Sequence, residues 1–253
     1  MSWNCGTPTC EIIGHRGCEG LAQGNSLDAF EKAIEIQVDR VEFDVQEIVD
    51  GRLIVFHDKF IQVGKERTAV DSLDRKALLA SLQATERSIP LLETVLKTCK
   101  DRIPIQLEMK APDLHAKVHQ ALLRAGFPSF DVTVSAFNLD WLVALKDIVA
   151  EWHPAQLVFL DGKARPSIKT TKRVLDVGIG SISIPARRVT KKIVHEFHDL
   201  GLRVLGYGVG DLGLEGWQVK PLYRSLVSSG IDGFTCAYPE VARQERDRLS
   251  TRH

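Results

Sequence analysis

Arg40-Val41-Glu42-Phe43-Asp44-Val45, residues 40–45, is a short apolar run that carries two acids two positions apart. Successive side chains of a β-strand point to opposite faces, so Glu42 and Asp44 share one face. A strand interior seldom holds two acids on one buried face, because each then needs a partner. The same pattern of short apolar run and helix-like stretch recurs on both sides of this segment. Strand-like runs cover residues 11–14, 103–108, 131–135, 156–160, 180–184, 203–207 and 231–235, and 53–57 reads as an antiparallel extension of the run before it. With that extension set aside, eight runs remain. Eight βα units in 253 residues are what a closed (β/α)8 TIM barrel requires, here as one domain over residues 1–253. A doubly wound open sheet is the alternative, but no GxGxxG follows the first strand.

Helical stretches fall between the runs. In the first, Ala29, Phe30, Ala33 and Ile34 share one face, and Asn25 or Ser26 is placed to cap its start. Others are expected at 114–125, 138–150, 190–200 and 221–229, with Gly126, Gly201 and Gly230 at helix C-terminal positions.

Apolar residues make up 44% and charged residues 26%, and Lys plus Arg equals Asp plus Glu at 33 each. That balance offers no broad attraction to nucleic acid or to anionic lipid, so an anionic ligand must be held by a local cluster. The N-terminal stretch lacks the basic and apolar regions of a signal peptide, and no apolar run is long enough to span a bilayer. A cytoplasmic location without membrane insertion is therefore expected. Cys5, Cys10, Cys18, Cys99 and Cys236 show no zinc spacing and read as reduced thiols, although Cys5 and Cys10 could pair in an oxidising compartment.

Catalytic groups of a barrel gather at the C-terminal ends of its strands. His15 and Arg16 end the first run, Glu42 and Asp44 lie in the second, His57 and Asp58 end the antiparallel return, and Glu108 and Lys110 end the third main strand. Glu42, Asp44 and Glu108 offer oxygen ligands only, which suits one hard divalent cation: Mg²⁺, Ca²⁺ or Mn²⁺. The alternative is a buried ionic network in which Arg16 and Lys110 neutralise these acids, which leaves the two histidines unexplained. Two histidines beside a metal suggest proton transfer around a phosphate, one accepting a proton from a nucleophile and the other donating to the leaving oxygen, in either assignment. Arg16 and Lys110 would neutralise charge growing on the phosphoryl oxygens.

At these residues the chain resembles the glycerophosphodiester phosphodiesterase family. His15-Arg16-Gly17 resembles its opening motif, Asn25, Phe30 and Ala33 its first helix, and Val41-Glu42-Phe43-Asp44-Val45 its metal strand. Asp50-Gly51, His57-Asp58, Ile89-Pro90-Leu91-Leu92-Glu93 and Leu107-Glu108-Met109-Lys110 follow in the family's order and spacing. The resemblance implies a phospholipase C-like (β/α)8 barrel that hydrolyses a small-molecule phosphodiester. It also implies Glu42, Asp44 and Glu108 as metal ligands, His15 and His57 as the acid–base pair, and Arg16 and Lys110 as phosphate contacts.

Three departures stand out. Gln23-Gly24-Asn25-Ser26 replaces Pro-Glu-Asn-Thr, so a glycine stands where the family has an acid. Tyr207-Gly208-Val209-Gly210 replaces Trp-Thr-Val-Asn, and Cys236-Ala237 replaces Thr-Asp ahead of Tyr238-Pro239. These changes point to lost bulk at the mouth and to a larger or sugar-based alcohol, such as an opine-type sugar phosphodiester. No large cap is expected between Asp58 and Ile89. Residues 206–218, with five glycines, read as a mobile wall in which Tyr207 or Trp217 packs on a sugar ring. Rival functions are a sphingomyelinase D-like lyase forming a cyclic phosphate and a non-catalytic phosphate-ester binder. His195-Glu196-Phe197-His198 is one residue short of a zinc pair, and the basic clusters at 169–173 and 187–192 lack the aromatic residues of a nucleic-acid surface.

Overall fold

The computed structural model describes residues 10–82, 87–162, 167–209 and 213–250. Eight parallel strands form the barrel: β1 (Glu11–Gly14), β2 (Arg40–Glu47), β6 (Ile105–Met109), β7 (Val132–Ala136), β8 (Leu157–Leu160), β9 (Ser181–Pro185), β10 (Arg203–Tyr207) and β11 (Gly233–Cys236). They pair in the order β1-β11-β10-β9-β8-β7-β6-β2, and β1 closes on β2 through Ile13 opposite Arg40 and Gly14 opposite Val41. The short β3 (Leu53–Val55) lies antiparallel on β2, as its sequence suggests.

The barrel strands are buried on both faces, which is why they read as apolar runs. Their outward residues, including Val41, Phe43 and Leu107, pack under helices such as α1 (Leu27–Ile36) and the helix Leu114–Ala125 in the main core. Inside the barrel Ile13, Val158, Leu160 and Leu205 form a second apolar layer below Tyr207. Ser26 caps α1 by accepting from the Ala29 N–H at 3.1 Å. Asn25, the other candidate cap, takes a left-handed φ of 63° and turns to Asp44 instead.

Between Asp58 and Ile89, where no large cap is expected, β4 (Phe60–Val63) and β5 (Glu66–Ala69) form an antiparallel hairpin, followed by α2 (Arg75–Leu82). Ile48, Ile54, Phe56, Ile61, Val70, Leu78, Leu82 and Ile89 give this satellite its own small core. The helix expected from Pro221 begins earlier, as Gly216–Ser228, because Glu215 and Gln218 make a reciprocal capping box and Pro221 is carried inside at the cost of one backbone bond. The wall expected at 206–218 is thus divided between the end of β10, residues 210–212, which lie outside the described set, and this helix. Cys10, Cys18, Cys99 and Cys236 are buried thiols, and Cys5 lies outside the described residues.

Candidate active site

The site is built at the C-terminal ends of neighbouring strands. After β1 the chain turns sharply through Arg16 and Gly17, with φ of 49° and 86°. A Cβ on Gly17 would lie 2.7 Å from the Ala29 backbone, so only glycine lets the loop reach α1 so closely. The turn is tied to β2, because the Gly17 N–H donates to the Glu42 carbonyl at 3.1 Å and the Arg16 N–H to Glu42 Oε2 at 3.1 Å. In register, Glu42 lies beside Gln106 and Asp44 beside Glu108 on the paired β2 and β6, so closely spaced side chains enter the barrel from both.

Oxygens of Glu42, Asp44 and Glu108 lie within 4.8 Å of one another. Arg16 Nε and Lys110 Nζ each approach Asp44 at 3.3 Å, and Lys110 Nζ donates to Glu108 Oε1 at 2.9 Å. Asn25 Nδ2 adds a bond to Asp44 Oδ2 at 2.9 Å. Burial alone would lift Asp44, but Lys110, Arg16 and His57 outweigh it and hold its carboxyl below the usual range. Glu42 fares differently: burial, then repulsion from Asp44, pushes it up to about 8. Glu108 is also raised by burial and Asp44. Arg16 and Lys110 therefore do form an ionic network, yet it leaves the acids under-neutralised. An all-oxygen donor set in which two buried acids lack enough positive charge to ionise readily fits a hard divalent cation.

Both histidines reach this cluster, and each is held by a carboxylate. His15 Nδ1 bonds Glu19 Oε1, while its Nε2 lies 3.9 Å from Glu42 Oε2. Burial opposes a charge on His15, but the Glu19 hydrogen bond and the Glu42 and Glu19 charges lift it to about 9. His57 Nδ1 lies 3.0 Å from Asp58 Oδ1, and Asp58 Oδ2 accepts from Arg87 Nη1 at 3.1 Å.

His15, Arg16, Glu42, Asp44, His57, Glu108, Lys110 and Tyr207 all line one cavity of about 90 Å³. Trp217, expected as a sugar contact, is not among the residues that line it: it is 71% exposed on the first turn of its helix and donates to Glu215. Tyr207 does line it, with its hydroxyl donating to the Asp161 carbonyl at 2.9 Å. Phe137 meets the Tyr207 ring edge-to-face at 5.6 Å. Bulk lost from one motif is thus supplied at the mouth by a residue that follows β7.

Glu19, Arg87 and Phe137 escaped the sequence reading. For Glu19 a signal existed, since an acid four residues after a histidine sits beside it in any helical turn. The histidines of 195–198 do not form a site: His195 faces solvent, and His198 Nε2 pairs with Asp232 at 2.7 Å.

A family model described as the glycerophosphoryl diester phosphodiesterase family matches residues 15–240. A glycerophosphodiester phosphodiesterase of Bacillus altitudinis is 24% identical over 265 residues, covering 94% of this chain and 99% of its own length. The crystal structure of a glycerophosphodiester phosphodiesterase from Parabacteroides distasonis is similar with a TM-score of 0.76 at 22% identity, covering 97% of this chain and 100% of that one. A phosphodiesterase of Oleispira antarctica, solved in complex with the product sn-glycerol-3-phosphate, gives a TM-score of 0.77 at 21% identity over 94% of this chain and 96% of that one.

Proposed function

Because this chain belongs to the glycerophosphoryl diester phosphodiesterase family, and is thereby a phosphoric diester hydrolase, we propose that it cleaves a glycerophosphodiester-like or sugar phosphodiester to an alcohol and a phosphomonoester. The observation that carries this reading is the pairing of two carboxylate-anchored histidines with three converging acids around one cavity. Arg16 and Lys110 contact the phosphoryl oxygens and offset their growing charge. One histidine withdraws a proton from water or from a hydroxyl neighbouring the phosphate, and the other protonates the departing alcohol. A divalent cation, Mg²⁺, Ca²⁺ or Mn²⁺, held by Glu42, Asp44 and Glu108 supplies further charge neutralisation when bound.

The phosphate and its nearest hydroxyls occupy the cavity, and a larger alcohol extends past Phe137 and Tyr207. A simple binder of phosphate esters would not require two proton-transfer groups. Among the described residues no helix is long and apolar enough to cross a membrane. With its buried thiols, we assign the chain to the cytoplasm, acting through residues 1–253 as one unit on a small molecule.

The test is a substrate panel on protein stripped with EDTA and then supplied with Mg²⁺, Ca²⁺ or Mn²⁺, with products identified by phosphorus NMR. Turnover of sugar–phosphate–sugar diesters to a phosphomonoester is the expected result. Clear preference for glycerophosphocholine overturns the sugar assignment. A cyclic phosphate as final product means a lyase, and no cleavage with any cation overturns the reading as a whole.

A further inference from the structure

Residues 15–22 wind through a tight turn after β1. The Glu19 N–H donates to the His15 carbonyl at 3.3 Å, and the Leu21 and Ala22 N–H groups to the Cys18 carbonyl. This winding sets residues 15 and 19 side by side. The Glu19 carboxylate then takes His15 Nδ1 with one oxygen and Arg16 Nη1 with the other, the latter at 3.2 Å. Both Glu19 and His15 are largely buried. An ionised carboxylate can only accept, so Nδ1 must carry the ring proton and Nε2 is the atom left to exchange one. It is Nε2 that lies 3.9 Å from Glu42 at the acid cluster.

The second histidine is held by the same construction. Asp58 lies at His57 Nδ1 and Arg87 holds Asp58, as Glu19 lies at His15 Nδ1 and contacts Arg16. Two copies of a His–carboxylate–Arg chain, drawn from different loops, flank one cavity.

Position 24 explains how the first copy fits. The Gly24 backbone does not require glycine, since its φ is outside the left-handed region. Space is what crowds a side chain there. A Cβ there would lie 3.0 Å from Glu19 Cβ and 3.2 Å from Arg16 Cβ. Any larger residue at 24 competes with Glu19 and Arg16 for the same room.

We propose that Glu19 is the positioning residue of His15, fixing the ring so that Nε2 serves as its proton-transfer atom, and that Gly24 is bare to accommodate it. On this proposal positions 19 and 24 share one space, and only one of them carries the carboxylate. The proposal rests on His15 being a proton-transfer group, so its test includes a readout independent of turnover.

Glu19→Gln keeps the side chain's shape and removes its charge. It should lower kcat on the order of 10²-fold, the lower end of what a placed acid–base group supplies, with KM little changed. Glu19→Gly should do the same, and exchange of the pair, Glu19→Gly with Gly24→Glu, should recover at least part of the lost kcat. In parallel, the His15 Nδ1 ring-proton resonance should be present in the unaltered protein, lost in Glu19→Gly and restored in the exchange variant. Full activity of Glu19→Gln overturns the proposal, as does a ring-proton signal that survives Glu19→Gly. An exchange variant no better than Glu19→Gly in both readouts overturns the role of Gly24. If the unaltered protein cleaves no phosphodiester, the functional reading has failed, and the ring-proton series alone decides Glu19. If Glu19→Gly does not fold, Glu19→Gln decides it through kcat and the same resonance.

Discussion

The two ends of this barrel bury carboxylates in opposite ways. At the N-terminal end, Glu11, Arg40 and Arg203 open β1, β2 and β10 and neutralise one another. Arg40 Nε donates to Glu11 Oε1 at 2.9 Å and its Nη1 to the Ile105 and Asp131 carbonyls, while Arg203 Nη2 reaches Glu11 Oε2 at 3.0 Å. Burial would raise Glu11, but the two guanidiniums outweigh it and hold it below its ordinary range. At the C-terminal end Glu42, Asp44 and Glu108 converge instead, and burial with mutual repulsion pushes Glu42 up to about 8. One end is closed and serves folding. The other gathers three acids that disfavour one another's ionisation, an arrangement that folding alone would not select and that fits the proposed site.

The sharpest way to break this contrast is Glu42→Gln. It should cut turnover on the order of 10³-fold, as expected when charge stabilisation is lost from a transition state. Without metal the same variant should melt higher than the unaltered protein at neutral pH, because a neutral amide avoids the cost of keeping a carboxyl protonated there; a lower Tm would show that Glu42 is part of a stabilising network after all. Arg40→Met tests the other end. It leaves Glu11 with one cation and takes a donor from two carbonyls, and should cost about 3 kcal/mol in urea unfolding. Turnover per folded molecule should be retained, and a matching loss of kcat would mean that the two ends are not independent.

The smallest effect is a pH dependence of opposite sign at the two ends. In the metal-free protein Glu42 keeps its proton up to about 8 but releases it near 4.5 when unfolded. Between those values the folded state binds more protons, so this group makes stability fall as pH rises from about 4.5 to about 8. Glu11, held below 4.5, stabilises above that pH, and its contribution is lost as pH falls through the lowered folded value. A cation present at about 100 times its Kd should add about 2.7 kcal/mol. That gain should be larger at pH 8 than at pH 6, since the proton on Glu42 competes with the metal. Thermal unfolding with EDTA and with cation at both pH values measures this, and an equal gain at each would remove Glu42 from the binding set.

Much of the site was legible because strand periodicity is strict. Residues 42 and 44, or 108 and 110, share a face whatever the fold, and ends of apolar runs are where a barrel keeps its chemistry. Glu19 was less legible because its i, i+4 spacing from His15 places it beside the ring only if residues 15–19 wind into a helical turn, which the sequence there does not announce. Arg87 and Asp58 are 29 residues apart, and nothing local couples them. The hairpin Phe60–Val63 with Glu66–Ala69 is hard to read in the sequence because its strands are largely exposed and too short to stand out as core. Pro221 misled because proline favours a helix's first turn, while the capping pair Glu215 and Gln218 set the start further upstream.

Sequence alone determined the repeating βα units, the shared faces of the acids and the chemistry their side chains offer, because these depend on backbone geometry and residue type within a few positions. Tertiary structure decided which faces meet. Closure of β1 on β2 sets His15 against Glu42, the pairing of β2 with β6 sets Asp44 beside Glu108, and Asn25 leaves the helix cap to Ser26 in order to hold Asp44. Those choices follow from packing and charge summed over distant segments, and no local pattern contains that sum.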